Sequence, residues 1–320
     1  MKAVVYDQPG SPDVLRYTDV PDPLCPPNGV VIRVEAVALE RGDLINRASS
    51  PPPYPGYVIG YAAAGEVVAV GRDVHDRQVG QRVTSFDMSG SHAELRAVAA
   101  SKTWRVPEGL DMVVAAALPI AYGTAHHCLF ARGGLKRGET VLIQAAAGGV
   151  GSAAVQLARQ AGATVLGTVS GVERGKRLAA LGLDHAIDRR MVNVVETVMR
   201  LTEGRGVDLV VDPVGTTLQD SLAVLRPEGR LVFVGNAGGA TLQVDLWPAL
   251  QANQSLLGVF MGTQLEKPEV HQTVSRMLEQ AANGSLEVLI DRVFALADAA
   301  QAHAYAEGTP TLGRVVLVCG

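Results

Sequence analysis

Through its middle third the chain alternates between two hydrophobic rhythms. Residues 141–143 are a continuous apolar run, the small-residue turn Ala145-Ala-Ala-Gly-Gly-Val-Gly151 follows, and Val150, Ala154, Val155, Leu157 and Ala158 then recur at helical spacing. That pattern predicts a strand, a tight turn and a helix, with a second strand over 163–169. Helical patterns over 173–181, 192–201 and 218–225 then separate strand-like runs at Ile187, 207–212, 230–235 and 255–260. Strand and helix alternating in this way predict an α/β domain, a doubly wound parallel sheet covered on both faces.

The first third has a different rhythm. Short strand-like runs at 4–5, 14–18, 30–37, 65–71, 80–83 and 93–98 are separated by Pro, Gly and Asp turns, which predicts a small β-rich barrel or sandwich. From Asp111 the spacing becomes helical over 112–118 and again over 119–131, with Pro119 suited to the first turn of a helix. The last sixty residues read helix (270–282), strand (near Val293), helix (297–307) and strand (315–318). With the parallel sheet complete by Phe260, this tail is expected to return to the first domain. The expected division is therefore 1–121, a nucleotide-binding domain over 122–262, and 263–320 rejoining the first.

Composition narrows the class. The 320 residues are 48% hydrophobic, and 28 Lys and Arg against 32 Asp and Glu give a net charge of −4, which offers nothing to nucleic acid or an anionic membrane. The N-terminal residues run into a short strand and then Pro9-Gly10 without an apolar signal core, and the longest apolar stretch, 112–122, is interrupted by Pro119 and too short to span a bilayer. Both features predict a cytoplasmic protein. Cys25, Cys128 and Cys319 are scattered, with no CxxC pair, and read as incidental thiols.

The turn at 145–151 carries the chemistry. Ala146, Gly148 and Gly151 hold the three places of a dinucleotide fingerprint, where small residues permit a tight turn, close approach to pyrophosphate and close packing of helix on strand. The helix that follows offers N–H groups and a positive dipole end to phosphate, which makes Ala147, Gly148, Gly149 and Val150 candidate cofactor contacts. The second strand ends Gly167-Thr-Val-Ser170 with no carboxylate to hold a ribose 2′-hydroxyl, so a 2′-phosphate is not repelled there. NADPH is the expected cofactor.

Several longer pieces resemble one family: Gly80-Gln-Arg-Val83, Ser91-His-Ala-Glu94, Ala117-Leu-Pro-Ile-Ala-Tyr-Gly-Thr124, the turn at 145–151, residues 208–215 and Gly313-Arg-Val-Val-Leu317. Together they resemble the zinc-independent quinone oxidoreductase branch of the medium-chain dehydrogenase/reductase superfamily. The resemblance implies a GroES-like domain beside a Rossmann domain and NADPH-dependent reduction of quinones or conjugated carbonyls, commonly by homodimers or tetramers. It places Ser170, Arg174 and Arg189 around the 2′-phosphate, and Thr124 and Asn236 near the nicotinamide end. Val259 and Phe260 fall where backbone borders the ring, and Val214 and Arg314 are carried over as further cofactor contacts.

On the substrate side the resemblance is looser. Segment 39–43 lacks the early cysteine of zinc-dependent relatives, Gly60-Tyr61-Ala62 replaces their Gly-His-Glu, and the four-cysteine lobe is missing, so no metal is expected. His126 and His127 are adjacent on a helix and point apart. Candidate catalytic residues are Glu40, Asp43 and Tyr54. Glu40, where relatives often carry Asn, is open to three roles: proton donor, substrate-binding acid or surface residue. Asp43 matches an aspartate at the family's cleft, with catalysis and structural hydrogen bonding both open. Tyr54 matches a tyrosine at the substrate entrance, and Tyr57 and Tyr61 add aromatic wall or simply pack. Ala62 stands where relatives often have Glu. The group that polarises the acceptor's carbonyl is not identified by the sequence. An enoyl reductase acting on a biosynthetic or acyl-thioester intermediate is the alternative within enzymes, and an NADPH-binding structural or interaction protein the alternative outside them.

Overall fold

The structure is a computed structural model that describes residues 1–239 and 241–320. In chain order the elements begin with β1 (Lys2–Val5), β2 (Arg16–Asp19), β3 (Gly29–Ala38), α1 (Arg41–Ser49), β4 (Ala62–Val70), β5 (Arg82–Phe86), β6 (Leu95–Ala99), β7 (Thr103–Arg105) and α2 (Met112–His126). Next come β8 (Thr140–Ile143), α3 (Gly149–Gln160), β9 (Thr164–Val169), α4 (Val172–Ala179), β10 (His185–Asp188), α5 (Val194–Leu201) and β11 (Val207–Asp212). They continue with α6 (Leu218–Ala223), β12 (Leu225–Phe233), α7 (Trp247–Gln251), β13 (Ser255–Gly258), α8 (Pro268–Ala282), β14 (Ile290–Ala295), α9 (Ala299–Gly308) and β15 (Arg314–Val318). The chain divides into two compact units, Met1–Ile120 with Gly262–Gly320, and Ala121–Met261.

The first unit is built on a seven-stranded sheet ordered β14-β15-β3-β4-β5-β7, with β6 also paired to β3, beside the antiparallel pair β1-β2. β3 is its spine. Its sequence alternates only at Arg33 and Glu35, which are exposed, and is buried elsewhere because β4, β6 and β15 all pair with it. Val4, Val37, Leu44 and Ile59 share one core with Leu296, Ala302, Val315 and Leu317, so the tail completes the core that the N-terminal strands begin.

The second unit holds six parallel strands in the order β10-β9-β8-β11-β12-β13. Every residue of β8 and β11 is buried, as expected of central strands covered on both faces. The strand order reverses between these two neighbours, and a crevice opens beyond strand ends at such a reversal. β13 is an edge strand with an exposed face.

Pro119 behaves differently from the sequence expectation. It does not start a second helix: α2 runs unbroken past it and continues as a π-helical turn over His127–Arg132. Proline removes one N–H···O bond from a helix interior, but Ala115, Ala116, Ala117 and Leu118 are fully buried and their packing outweighs that loss. The resulting stretch, Met112–Arg132, is 21 residues long and apolar enough to cross a bilayer, so the expectation of a segment too short to span is also corrected. Its buried share of 67% marks it as a core helix.

Candidate active site

The fingerprint turn leaves β8 through Ala145, whose φ of 50° is left-handed. Ala146, at the place of the first fingerprint glycine, has no such requirement, and so alanine serves there. Gly148 caps α3, and the N–H groups of the first helical turn have no intrahelical acceptor. Gly151 is fixed by space: a Cβ there would lie 2.4 Å from the Ala145 carbonyl oxygen and 2.7 Å from the Ala146 Cα.

Behind this turn runs a buried hydrogen-bond chain. The Ala145 N–H donates to Thr168 Oγ1 (2.9 Å), the Thr168 hydroxyl to Gln144 Oε1 (2.9 Å), the Gln144 amide to Ser221 Oγ (3.1 Å), and the Ser221 hydroxyl to Asp212 Oδ2 (2.7 Å). Asp212 also accepts from the Thr217 hydroxyl (2.7 Å) and from the N–H groups of Val214 (2.8 Å) and Gly215 (3.1 Å). The turn after β8 is thereby locked to the turn after β11, across the reversal point. Asn236 adjoins the second turn, since its Oδ1 lies 2.6 Å from where a Cβ on Gly215 would stand, and the N–H of Gly238 donates to the Val214 carbonyl (2.8 Å). Thr124 is buried in α2, and Phe260 follows β13 with 64% of its surface exposed, which excludes a plain core role.

At the ends of β9 and β10 the basic residues converge. Arg189 Nε donates to Ser170 Oγ (3.0 Å), while Arg190 Nη2 and Arg174 Nη2 lie 3.0 and 3.9 Å from where a Cβ on Gly171 would be. Asp188 sits among them, accepting from the Gly171 N–H (2.9 Å) and from the N–H (3.1 Å) and Nε (3.4 Å) of Arg190. The Arg190 backbone N–H, followed by its guanidinium, holds the Asp188 carboxyl below the usual aspartate range. Three guanidinium groups around one serine and one neutralised carboxylate fit a 2′-phosphate, with the fingerprint turn fitting the pyrophosphate.

In the first unit two of the substrate-side candidates, Glu40 and Asp43, sit at the start of α1. The Glu40 N–H donates to Asp43 Oδ2 (2.8 Å), closing the first turn of the helix. Asp43 is completely buried, and burial pushes its carboxyl up to about 8. Glu40 is ion-paired with Arg314, and burial raises its carboxyl against that guanidinium's pull. Tyr54 is exposed and meets Tyr57 edge-to-face at 5.5 Å. Tyr61 is half-buried, and its hydroxyl accepts from Asn46 Nδ2 (2.8 Å).

Two family models match this chain: the alcohol dehydrogenase GroES-like domain over residues 26–108 and the zinc-binding dehydrogenase over 149–280. It is 34% identical to a 2-haloacrylate reductase of a Burkholderia species, over 99% of this chain and 98% of that one. It is also 34% identical to a quinone oxidoreductase of Pseudomonas aeruginosa, over 99% of each. The chain belongs to the zinc-independent quinone oxidoreductase branch of the medium-chain dehydrogenases/reductases. Among solved structures it resembles mycobacterial Rv1454c complexed with NADPH, with a TM-score of 0.93, 34% identity and coverage of 99% and 100%. CurK enoyl reductase matches with a TM-score of 0.86, 28% identity and coverage of 100% and 99%.

Membership of this oxidoreductase branch makes the GroES-like and Rossmann domains plain facts of the fold. One reading of an individual residue changes, and a second residue gains a partner. Glu40 is not a surface residue, because it is 6% exposed and its charge is needed against Arg314. Arg314, carried over as a cofactor contact, is 8% exposed in the first unit with Glu40 as its partner. The sequence reading missed Asp188 and Arg190, although Asp188-Arg-Arg190 at the end of the third strand was a visible signal, and it missed Gln144, Thr168, Ser221 and Asp212. Among the described residues no three His, Cys, Asp or Glu come together as a metal site.

Proposed function

We propose that this oxidoreductase reduces an α,β-unsaturated carbonyl or a quinone with NADPH. The observation that carries the cofactor is the convergence of Arg174, Arg189 and Arg190 on Ser170 and Gly171 beside a fingerprint turn. When bound, the reduced nicotinamide supplies a hydride. The protein's own part is positional: the Asp212 chain fixes the turns after β8 and β11, Val214, Asn236, Thr124 and Phe260 serve the nicotinamide end, and Tyr54 stands at the acceptor's entrance. Asp43, through the first turn of α1, and Glu40, through Arg314, are positioning residues. The names of the relatives support the acceptor class.

Purified protein with NADPH and a panel of quinones, enones and enoyl thioesters tests this reading. Turnover of quinones or enones is expected, dominance of enoyl thioesters would favour the reading suggested by the likeness to CurK enoyl reductase, and tight NADPH binding without any turnover would favour an interaction protein.

The protein acts in the cytoplasm as a homodimer. The edge strand β13 and the preceding α7 support self-association, since Leu246, Trp247, Leu250 and Leu256 are exposed along them. Light scattering should return twice the chain mass, and Leu256→Lys should shift it toward one.

A further inference from the structure

Within the second unit, the register of the sheet decides which side chains meet beyond its strand ends. Asp188, the last residue of β10, pairs with Val169, the last of β9. The residues that follow, Ser170 and Gly171 on one strand and Arg189 and Arg190 on the other, therefore leave the sheet side by side. A carboxylate among arginines works against an anion they would bind, yet Asp188 is only 15% exposed and both its oxygens face donors of the chain. Oδ2 accepts from the Gly171 N–H (2.9 Å), and Oδ1 from the N–H (3.1 Å) and Nε (3.4 Å) of Arg190. Gly171 has a φ of 118°, which favours glycine, and its missing side chain leaves the space that Arg190 fills: a Cβ there would lie 3.0 Å from Arg190 Nη2.

An exposed ion pair by itself holds a long side chain weakly. Arg190 is held at more points than that, since its backbone and its Nε meet the same carboxylate oxygen and its far end rests over a residue with no side chain. Freedom lost before the phosphate arrives is not lost on binding, which is the gain from preorganisation. Among the described residues no hydrogen bond or ion pair engages either Nη atom of Arg190, so both are available to phosphate oxygens. The carboxylate that holds a ribose 2′-hydroxyl in NAD-binding domains belongs at the end of the second strand, whereas Asp188 ends the third.

We propose that Asp188 is the positioning residue of the 2′-phosphate pocket: one oxygen fixes the turn at Gly171, the other holds Arg190, and the guanidinium is thereby presented to the phosphate alongside Arg189. This rests on the placing of the 2′-phosphate given above. The charge of Asp188 works against the phosphate and its hydrogen bonds work for it, so the sign of the effect of Asp188→Asn separates the two. Neutralising a carboxylate that only repels tightens NADPH binding. Neutralising one that positions weakens it, because asparagine keeps a single oxygen and turns an amide N–H toward a donor.

Nicotinamide fluorescence titrations of the full chain test the assignment. Asp188→Asn should raise the Kd for NADPH about fivefold while that for NADH stays within about twofold of wild type. Adenosine 2′-monophosphate, used to displace NADPH, should weaken in step with it, and adenosine 5′-monophosphate should not. Added to Arg190→Ala, Asp188→Asn should raise the NADPH Kd by less than about twofold further, because the two residues act as one unit. Equal losses for NADPH and NADH, unchanged binding, tighter NADPH binding, or a loss confined to NADH would each overturn the assignment. A wild type that binds NADPH no more tightly than NADH would instead strike the placing of the 2′-phosphate, and the assignment with it.

Discussion

The two units bury polar side chains in opposite ways. In the second, the chain from Thr168 through Gln144 and Ser221 to Asp212 passes from donor to acceptor at every link, and Asp212 gathers four donors. In the first, Glu40, Asp43, His92 and His303 are equally buried, yet Asp43 Oδ1 and His303 Nδ1 have no hydrogen-bond partner. The imidazoles of His92 and His303 meet at 3.3 Å between their Nε2 atoms, with the Ser91 hydroxyl 3.1 Å from His92 Nδ1. A saturated network fixes geometry, whereas buried groups left short of partners are held in their neutral forms and couple stability to pH. The unit that grips the cofactor is therefore built for rigidity, and the unit that carries the acceptor-side candidates is built from titratable groups.

The largest blow to this contrast is Asp212→Ala. One buried and one partly buried N–H group and two hydroxyls lose their acceptor, and a loss of about 3–4 kcal/mol is expected from urea unfolding. NADPH affinity, read by nicotinamide fluorescence, should fall more than tenfold as the two turns uncouple.

The first unit should respond in the converse manner. Burial lowers the His92 imidazole to about 3 and the His303 imidazole well below 6.5. Unfolded histidines take up protons that the folded ones refuse, so this contribution is whole above 6.5 and drains away as the pH falls below it. Asp43 has the opposite sign. Its folded carboxyl keeps its proton up to about 8 whereas the unfolded one loses it near 3.8, so its contribution is present at low pH and is lost as the pH climbs toward 8. Melting temperatures measured from pH 4 to 9 (roughly the span of these groups) should show both limbs. His303→Gln should flatten the acid limb and Asp43→Asn the alkaline one, and an unchanged profile in either variant would remove that group from the account.

Smaller effects sharpen the contrast. Gln144→Leu leaves the Thr168 hydroxyl without its acceptor and Ser221 without its donor, for a loss of about 1–3 kcal/mol in the same unfolding assay. Arg190→Ala removes one guanidinium and leaves the Asp188 carboxylate to its backbone N–H donors alone. The KM for NADPH should rise about tenfold, worth about 1.4 kcal/mol, while that for NADH stays nearly constant.

The second unit was far more legible in the sequence than the first. Its strands and helices announce themselves through long runs of one rhythm, and the fingerprint turn is a contiguous motif whose glycines have single physical reasons. The residues behind that turn were illegible because Gln144, Thr168, Asp212 and Ser221 come from four separate elements and meet only once the sheet has formed. In the first unit α1 went unread, since Leu44 and Ile45 are its only large aliphatic residues and set no helical period. With the helix unread, Glu40 stayed open between proton donor, substrate-binding acid and surface residue, and nothing linked it to Arg314, some 270 positions away. Tyr61 was visible only as an aromatic residue because its contacts are with Gly42, Asn46 and Arg96, none of which is a sequence neighbour.

The return of the tail bears on how the protein is made. β15 pairs residues 316–318 with 36–38 of β3, about 280 positions earlier. On a ribosome the second unit emerges whole and can fold while β3 still shows an unpaired edge, and the core around Val37 stays open until Leu317 arrives. The first unit is thus begun first and finished last, and during that interval its exposed strand edge is the part of the nascent chain most in need of a chaperone.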